Sequence, residues 1–96
     1  MNVQIQAVKF DADRKLIEFV EAKMAKLDRF IERATGADVI LKLDKDNEKG
    51  NKVAIIEVPG DALVAEARSK SFEESVDNAI DALKKQIEKH KERYAK

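Results

Sequence analysis

Apolar and polar residues alternate at the start of the chain. In NVQIQAV, Asn2 to Val8, the residues Val3, Ile5 and Ala7 share one face and Gln4 and Gln6 the other. A period of two is that of a half-buried strand. The period then lengthens. Leu16, Phe19, Val20, Met24, Leu27, Phe30 and Ile31 recur at three- and four-residue steps, which predicts a helix from Arg14 to about Arg33, N-capped by Asp13 and closed by Gly36. Alternation returns in ADVILKLDKD, with Val39, Leu41 and Leu43 inward, and in KVAIIEVPG, with Ala54, Ile56 and Val58 inward. The turn DNEKGN separates these two strands. After the Pro59-Gly60-Asp61 turn, ALVAEARSK reads as a fourth strand with Leu63, Ala65 and Ala67 inward.

Ser71 has the place of an N-cap for a second helix, and Glu74, three residues on, completes a capping box. The apolar stripe of this helix is Phe72, Val76, Ala79, Ile80, Leu83, Ile87 and Tyr94. The order is therefore β-α-β-β-β-α, an α+β chain. Three successive strands predict an antiparallel meander. Both helices must cover the same face of the four-stranded sheet to bury their stripes. The inner part of this order, α-β-β-β-α, is that of a double-stranded RNA-binding domain.

Length and composition narrow the picture. Ninety-six residues suffice for one domain with one modest core, so residues 1–96 read as a single unit. Apolar content of 44% suits a folded globule, while charged content of 40% is well above the usual ~25%. Nineteen basic and nineteen acidic residues cancel, so the distribution of charge, not its sum, has to indicate a partner. Cysteine is absent. That removes disulfides and thiolate chemistry and is compatible with a reducing cytoplasm. MNVQIQAVKF lacks the basic start and apolar run of a signal peptide, and no apolar run approaches the ~18 residues of a membrane span.

Candidate chemistry is sparse. His90 is the single imidazole, and the hydroxyls are Thr35, Ser69, Ser71 and Ser75. A nucleophilic triad needs nucleophile, base and orienting group together, and no such grouping is legible, so no enzyme is expected. Asp44, Asp46 and Glu48 fall at alternate positions, as in a calcium loop. However, Lys49 stands where that loop needs Gly, and Ile55 where it needs a bidentate Glu. The stretch reads as a charged hairpin turn, and no metal is expected. No Gly-rich phosphate loop occurs, and no cofactor is expected. His90, in line with Leu83, Ile87 and Tyr94, reads first as a packing or boundary residue and second as a partner contact.

The charges are segregated. At about 100° per residue, Lys15, Lys26, Arg29 and Arg33 share one sector of the first helix. Lys23 lies nearer the apolar stripe beside Phe19 and Phe30, and Glu18, Glu21, Asp28 and Glu32 fill the next sector. In the second helix Lys85, Lys89, Arg93 and Lys96 share a flank with Ser75 and Ala82. Glu74, Asp77, Asp81, Glu88 and Glu92 face outward, and Lys84 and Lys91 take the other flank. Acids early and bases late in the second helix complement its dipole. Pairing four residues apart stabilises each opposite-charge pair slightly. Neither effect explains lateral segregation on both helices. With the helices side by side, a basic flank from each is expected to meet over the groove between them, a surface suited to phosphates. Phe10, Phe19, Phe30, Phe72 and Tyr94 are assigned mostly to the core. The expected mode is thus shape-and-phosphate recognition of folded RNA rather than base stacking.

LIEFVEAKMAKLDRF (Leu16 to Phe30) and AIDALKKQIEKHK (Ala79 to Lys91) together resemble the ribosome hibernation promoting factors, also called ribosome-associated inhibitor proteins. The resemblance runs over essentially the whole chain and includes the strand order. It implies a cytoplasmic, non-catalytic protein of stationary phase or stress. Such a protein occupies the messenger and A- and P-site transfer RNA channel of the small ribosomal subunit, contacts ribosomal RNA and silences translation. The matching basic positions are Lys23, Lys26 and Arg29, then Lys85, Lys89 and Lys91 with His90 between the last two. Lys84 joins them in the same run, and Arg68 and Lys70, at the end of the fourth strand, are further candidates. Where the family carries Tyr after the position of Phe72, this chain has Glu73, which removes an aromatic contact there. By length the chain resembles a short-form factor, whose relatives act alongside a separate ribosome modulation protein. That protein is the second expected partner, and whether ribosome dimers result is left open by the resemblance.

Two other readings use the same residues. One is a free-standing double-stranded RNA binder. The other is a protein-interaction module on the outer sheet face, where Ile40, Ile55 and Val64 stand beside Lys42, Glu57 and Glu66. Scattered apolar residues are ordinary on surfaces, so this reading ranks below the RNA-binding ones.

Overall fold

A computed structural model describes residues 1–31, 35–45 and 48–94, with side chains as far as Lys89. The strands are β1 (Asn2–Val8), β2 (Gly36–Leu43), β3 (Lys52–Val58) and β4 (Leu63–Ser69). The helices are α1 (Arg14–Asp28) and α2 (Phe72–Tyr94), and a single 3-10 turn, Pro59–Asp61, joins β3 to β4. The sheet order is β1-β2-β3-β4. β1 and β2 are parallel, with Ile5 opposite Val39, and α1 forms the crossover. β2–β3 and β3–β4 are antiparallel, so the expected α+β meander is present.

Register explains which face is buried. One cross-sheet row is Ile5, Val39, Ile56 and Ala65; the next is Ala7, Leu41, Ala54 and Ala67. Both rows face the helices. Val39, Leu41, Ala54, Ile56 and Val58 are fully buried, against Val20, Met24 and Leu27 of α1 and Val76, Ala79 and Leu83 of α2. The α2 helix lies over β3 and β4, with α1 beside it toward β1. No helix among the described residues is long and apolar enough to cross a membrane.

The helix starts follow the sequence. Asp13 Oδ1 accepts the Leu16 N–H at 2.8 Å, and Ser71 Oγ accepts the Glu74 N–H at 3.2 Å. The second half of the expected capping box comes from elsewhere, because the Ser71 N–H donates to Ser69 Oγ. Ser69 and Ser75 are buried and joined Oγ to Oγ at 2.7 Å, and Ser75 Oγ donates to the Lys52 carbonyl. This chain of hydroxyls ties the start of α2 to β3 and β4. Buried hydroxyls are tolerated only when bonded in this way. At the other side of the same end, Lys9 takes a positive φ of 70°. The chain leaves β1 there, and Phe10 stacks on Phe72 at 4.4 Å between ring centroids.

The end of α1 departs from expectation. The helix stops at Asp28, not near Arg33, and Gly36 opens β2 instead of closing the helix. Arg29, Phe30 and Ile31 donate to Lys26, Leu27 and Asp28 respectively, three residues back. Bonds of that spacing tighten the last turn to about three residues. Ile31 remains buried, while Phe30, assigned to the core from its spacing, is 44% exposed. Arg33 lies outside the described residues.

The hairpin between β2 and β3 is held from below. Arg68, on the outer face of β4, donates to Asp44 Oδ2 at 2.5 Å, to the Gly50 carbonyl at 3.1 Å and to the Lys45 carbonyl at 3.4 Å. The Arg68 guanidinium bond to Asp44, with the Lys45 N–H second, holds the Asp44 carboxyl below its ordinary value of 3.8. Folding therefore favours the ionised form. The resulting stability is fully present above 3.8 and is lost as the pH falls through the depressed native value. Asp44→Asn should lower stability at neutral pH and make the acid limb of a pH series of urea unfolding curves flatter. A wild-type advantage that stays constant down that limb would contradict the linkage.

Candidate nucleic-acid interface

Two contacts set how the helices face each other. Lys23 Nζ of α1 reaches Asp77 Oδ1 of α2 at 3.1 Å. Seven residues on along each helix, Lys84 Nζ of α2 lies 5.3 Å from the centre of the Phe30 ring. Equal steps in the same direction mean that α1 and α2 run parallel. They also show that Asp77 and Lys84 occupy the α1-facing flank of α2. The opposite flank is fixed by Gln86, whose Nε2 donates to the Val64 carbonyl on β4 at 2.9 Å.

This rotation redistributes the predicted bases. At about 100° per residue, Lys85 falls between the α1-facing Lys84 and the β4-facing Gln86, and so points away from the core. Lys89 leans further toward the β4 side. Both are exposed. Of the two basic flanks of α2, the one that meets α1 over the groove is therefore that of Lys84, and not that of Lys85 and Lys89. The apolar stripe of α2 has to face the sheet, and that turns Lys85 and Lys89 outward and away from α1. The groove itself carries Lys23 and Lys84, with Asp77 between the helices as the partner of Lys23. Lys23 is the more engaged of the two, since its Nζ also lies 5.4 Å from the centre of the Phe19 ring.

Beside the groove, Lys26 and Arg29 are exposed on α1. They and Lys84 form a basic field around Phe30 at the end of α1. Lys85 and Lys89 form a second one across the outward acids of α2, among them Glu74, Asp81 and Glu88. All three acids are exposed. The structure separates the remaining candidates from these fields. Arg68 is on the far face of the sheet, half-buried and committed to the β2–β3 hairpin. Lys70 is exposed in the short link between β4 and α2. His90 and Lys91 are on the α2 backbone, but their side chains, like those of Arg93 and Tyr94, lie outside the described residues, as does Lys96.

Phe30 is the residue that sequence reasoning misplaced. Its position at the margin of the α1 stripe, next to Lys23, was the available signal. The local tightening that turns it out was not. On the outer sheet face Ile40 and Ile55 are paired in register and half-buried, and Val64 is 54% exposed. Among the described residues no three carboxylate or imidazole groups converge as metal ligands would. Asp44, first of the calcium-like acids, is turned to Arg68, and Asp46 lies outside the described residues.

The comparisons agree with this architecture. The ribosome hibernation promotion factor of Deinococcus radiodurans is 32% identical over 96 residues, which is 97% of this chain and 50% of that protein. This chain thus spans about half the length of that relative. The ribosome hibernation promoting factor of Escherichia coli is 31% identical over 93 residues, 97% of this chain and 96% of that protein. Among solved structures, a ribosomal subunit interface protein from Coxiella burnetii superposes with a TM-score of 0.72 at 26% identity, covering 95% of this chain and 98% of that one. The N-terminal domain of Protein Y from Thermus thermophilus gives a TM-score of 0.73 at 26% identity, covering 94% and 99%. Residues 3–95 match the family described as sigma 54 modulation protein / S30EA ribosomal protein. With a match that covers nearly the whole chain, and solved structures that superpose over almost their full length, the chain belongs to that family.

Proposed function

We propose that this chain is a cytoplasmic, non-catalytic ribosome hibernation factor of stationary phase or stress. It binds the small ribosomal subunit in the decoding region and blocks translation through contacts to ribosomal RNA. The observation that carries this reading is a pair of basic fields, exposed Lys26 and Arg29 with half-buried Lys84 on one side and exposed Lys85 and Lys89 on the other. They stand on two parallel helices that share one side of the sheet. Ammonium and guanidinium groups neutralise phosphates and release counterions, so binding of this kind weakens as salt rises. The family names point to the same partner. The helical face also suits RNA better than a flat protein partner, because fixed rows of charge match a phosphate backbone.

Sedimentation of the purified protein with ribosomes tests the proposal. On a sucrose gradient at low salt it should co-migrate with the small subunit. Five phosphate contacts predict a fall of roughly two to three orders of magnitude in affinity between about 50 and 200 mM monovalent salt. Absence from the subunit fractions at both salts would overturn the reading. A dimer peak, seen with or without a ribosome modulation protein, would assign the subtype.

A further inference from the structure

We propose that Phe30 is a stacking platform for one unpaired RNA base, with the Lys84 ammonium holding the phosphate of the same nucleotide. The inference rests on the RNA-binding reading above and adds a base contact to what was otherwise a surface of phosphate contacts alone.

Three observations carry it. Phe30 and Val64 are the exposed large apolar side chains among the described residues, and of the two only Phe30 has a π-face. Phe30 is 44% exposed where the last turn of α1 is wound by bonds from Arg29, Phe30 and Ile31 to carbonyls three residues back. Its position is thus set by backbone geometry and not by loose packing. Finally, Lys84 could pair on its own helix with Asp81, three residues back, or Glu88, four residues on. Among the described residues it is paired with neither. Its Nζ lies over the Phe30 ring instead, at 5.3 Å.

A cation held by an aromatic face keeps its charge, since the ring offers no counter-charge. Lys84 is thereby kept at the ring with its capacity for an anion unspent. An aromatic face next to an uncompensated ammonium matches a nucleotide, whose base stacks while its phosphate meets the cation. Lys26 and Arg29, exposed on the adjoining turn of α1, continue the phosphate track. A base inside a duplex has no free face to offer, so the chemistry selects a looped-out or single-stranded nucleotide.

The test combines ribosome binding with chemical probing of base reactivity on purified small subunits, using the full chain. Phe30→Ala should weaken binding between about 5-fold and about 150-fold, the equivalent of ~1–3 kcal/mol for one stacked base. The salt dependence should stay unchanged, and one base protected by the wild type should become reactive. Lys84→Gln should instead reduce the salt slope by about one phosphate contact. Phe30→Leu, which keeps apolar area and loses the π-face, should bind as weakly as Phe30→Ala. Melting curves of all three variants report whether the fold is kept. Binding of Phe30→Ala within about twofold of the wild type overturns the platform and leaves the RNA reading standing, as does full rescue by Phe30→Leu. A wild type that fails to bind the subunit at low salt overturns both.

Discussion

Changing Lys26, Arg29, Lys85 and Lys89 together to Glu will release the protein from the small ribosomal subunit and leave it folded. All four side chains are exposed, and none has a bonding partner within the described residues. Their removal therefore takes away little native contact. Lys26 lies in the last turn of α1, where a base complements the helix dipole, so its reversal costs the fold about 1 kcal/mol or less. The loss at the interface is much larger. Charge-assisted bonds contribute about 1.5 kcal/mol each at the low end, and four of them correspond to roughly ten-thousand-fold in affinity. The reversed charges add repulsion from phosphates to that loss. The salt slope should drop by about four.

Because the structure places these bases on two separated fields, the two double variants carry further information. Lys26 and Arg29 adjoin the groove and Phe30, whereas Lys85 and Lys89 lie across the outward acids of α2. Equal losses from both pairs would mean that RNA wraps over the helices. A loss from one pair alone would identify the flank that faces RNA. Unchanged sedimentation of the fourfold variant, with a native circular dichroism spectrum, would sink the phosphate-binding reading.

Gly50→Ala is expected to destabilise the fold by about 3 kcal/mol or more. Gly50 has φ +100°, a conformation that side chains rarely adopt, and a Cβ there would lie 2.1 Å from the Ser69 carbonyl oxygen and 2.6 Å from the Lys70 nitrogen. Those atoms are backbone and cannot swing aside. Its own carbonyl accepts from Arg68, so relieving the clash would also break the hold on the hairpin. A domain of this size has only about 5–15 kcal/mol of total stability. The loss should therefore appear as a clearly lowered urea midpoint and as faster amide exchange at the β2–β3 end of the sheet. A midpoint unchanged from wild type would show that the close approach of the turn to the β4–α2 link is not maintained in solution.

The acid-linked contribution of Asp44 belongs to the same corner of the molecule, and the two effects should not add. Both changes weaken the bonds by which Arg68 holds the turn, and substitutions that share a partner are coupled. The doubly substituted protein should lose less than the sum of the two single losses.

The period of apolar residues was enough to place every strand, with ends off by at most three residues, to start both helices at Asp13 and Ser71, and to name nearly all of the core, from Val20 and Met24 to Leu83 and Ile87. Local chemistry dictates these features: alternation and helical repeat select the face, and cap residues satisfy free N–H groups. The joint likeness of the two helices to hibernation factors was legible in the same letters. Other features depend on what is packed against what. The end of α1 at Asp28, and with it the exposure of Phe30, follows from a tightening of the last turn that spacing does not encode. The use of Arg68 as a brace depends on strand register, which puts it opposite Val53 and within reach of Asp44 and Gly50. Which bases share a surface depends on the rotation of α2, fixed when its stripe meets the sheet and Gln86 meets β4. Sequence determines which side of each helix is apolar and which is charged, because that is a property of one segment. Only the tertiary structure decides which charged side meets which neighbour, because that is set by contacts between segments far apart in the chain.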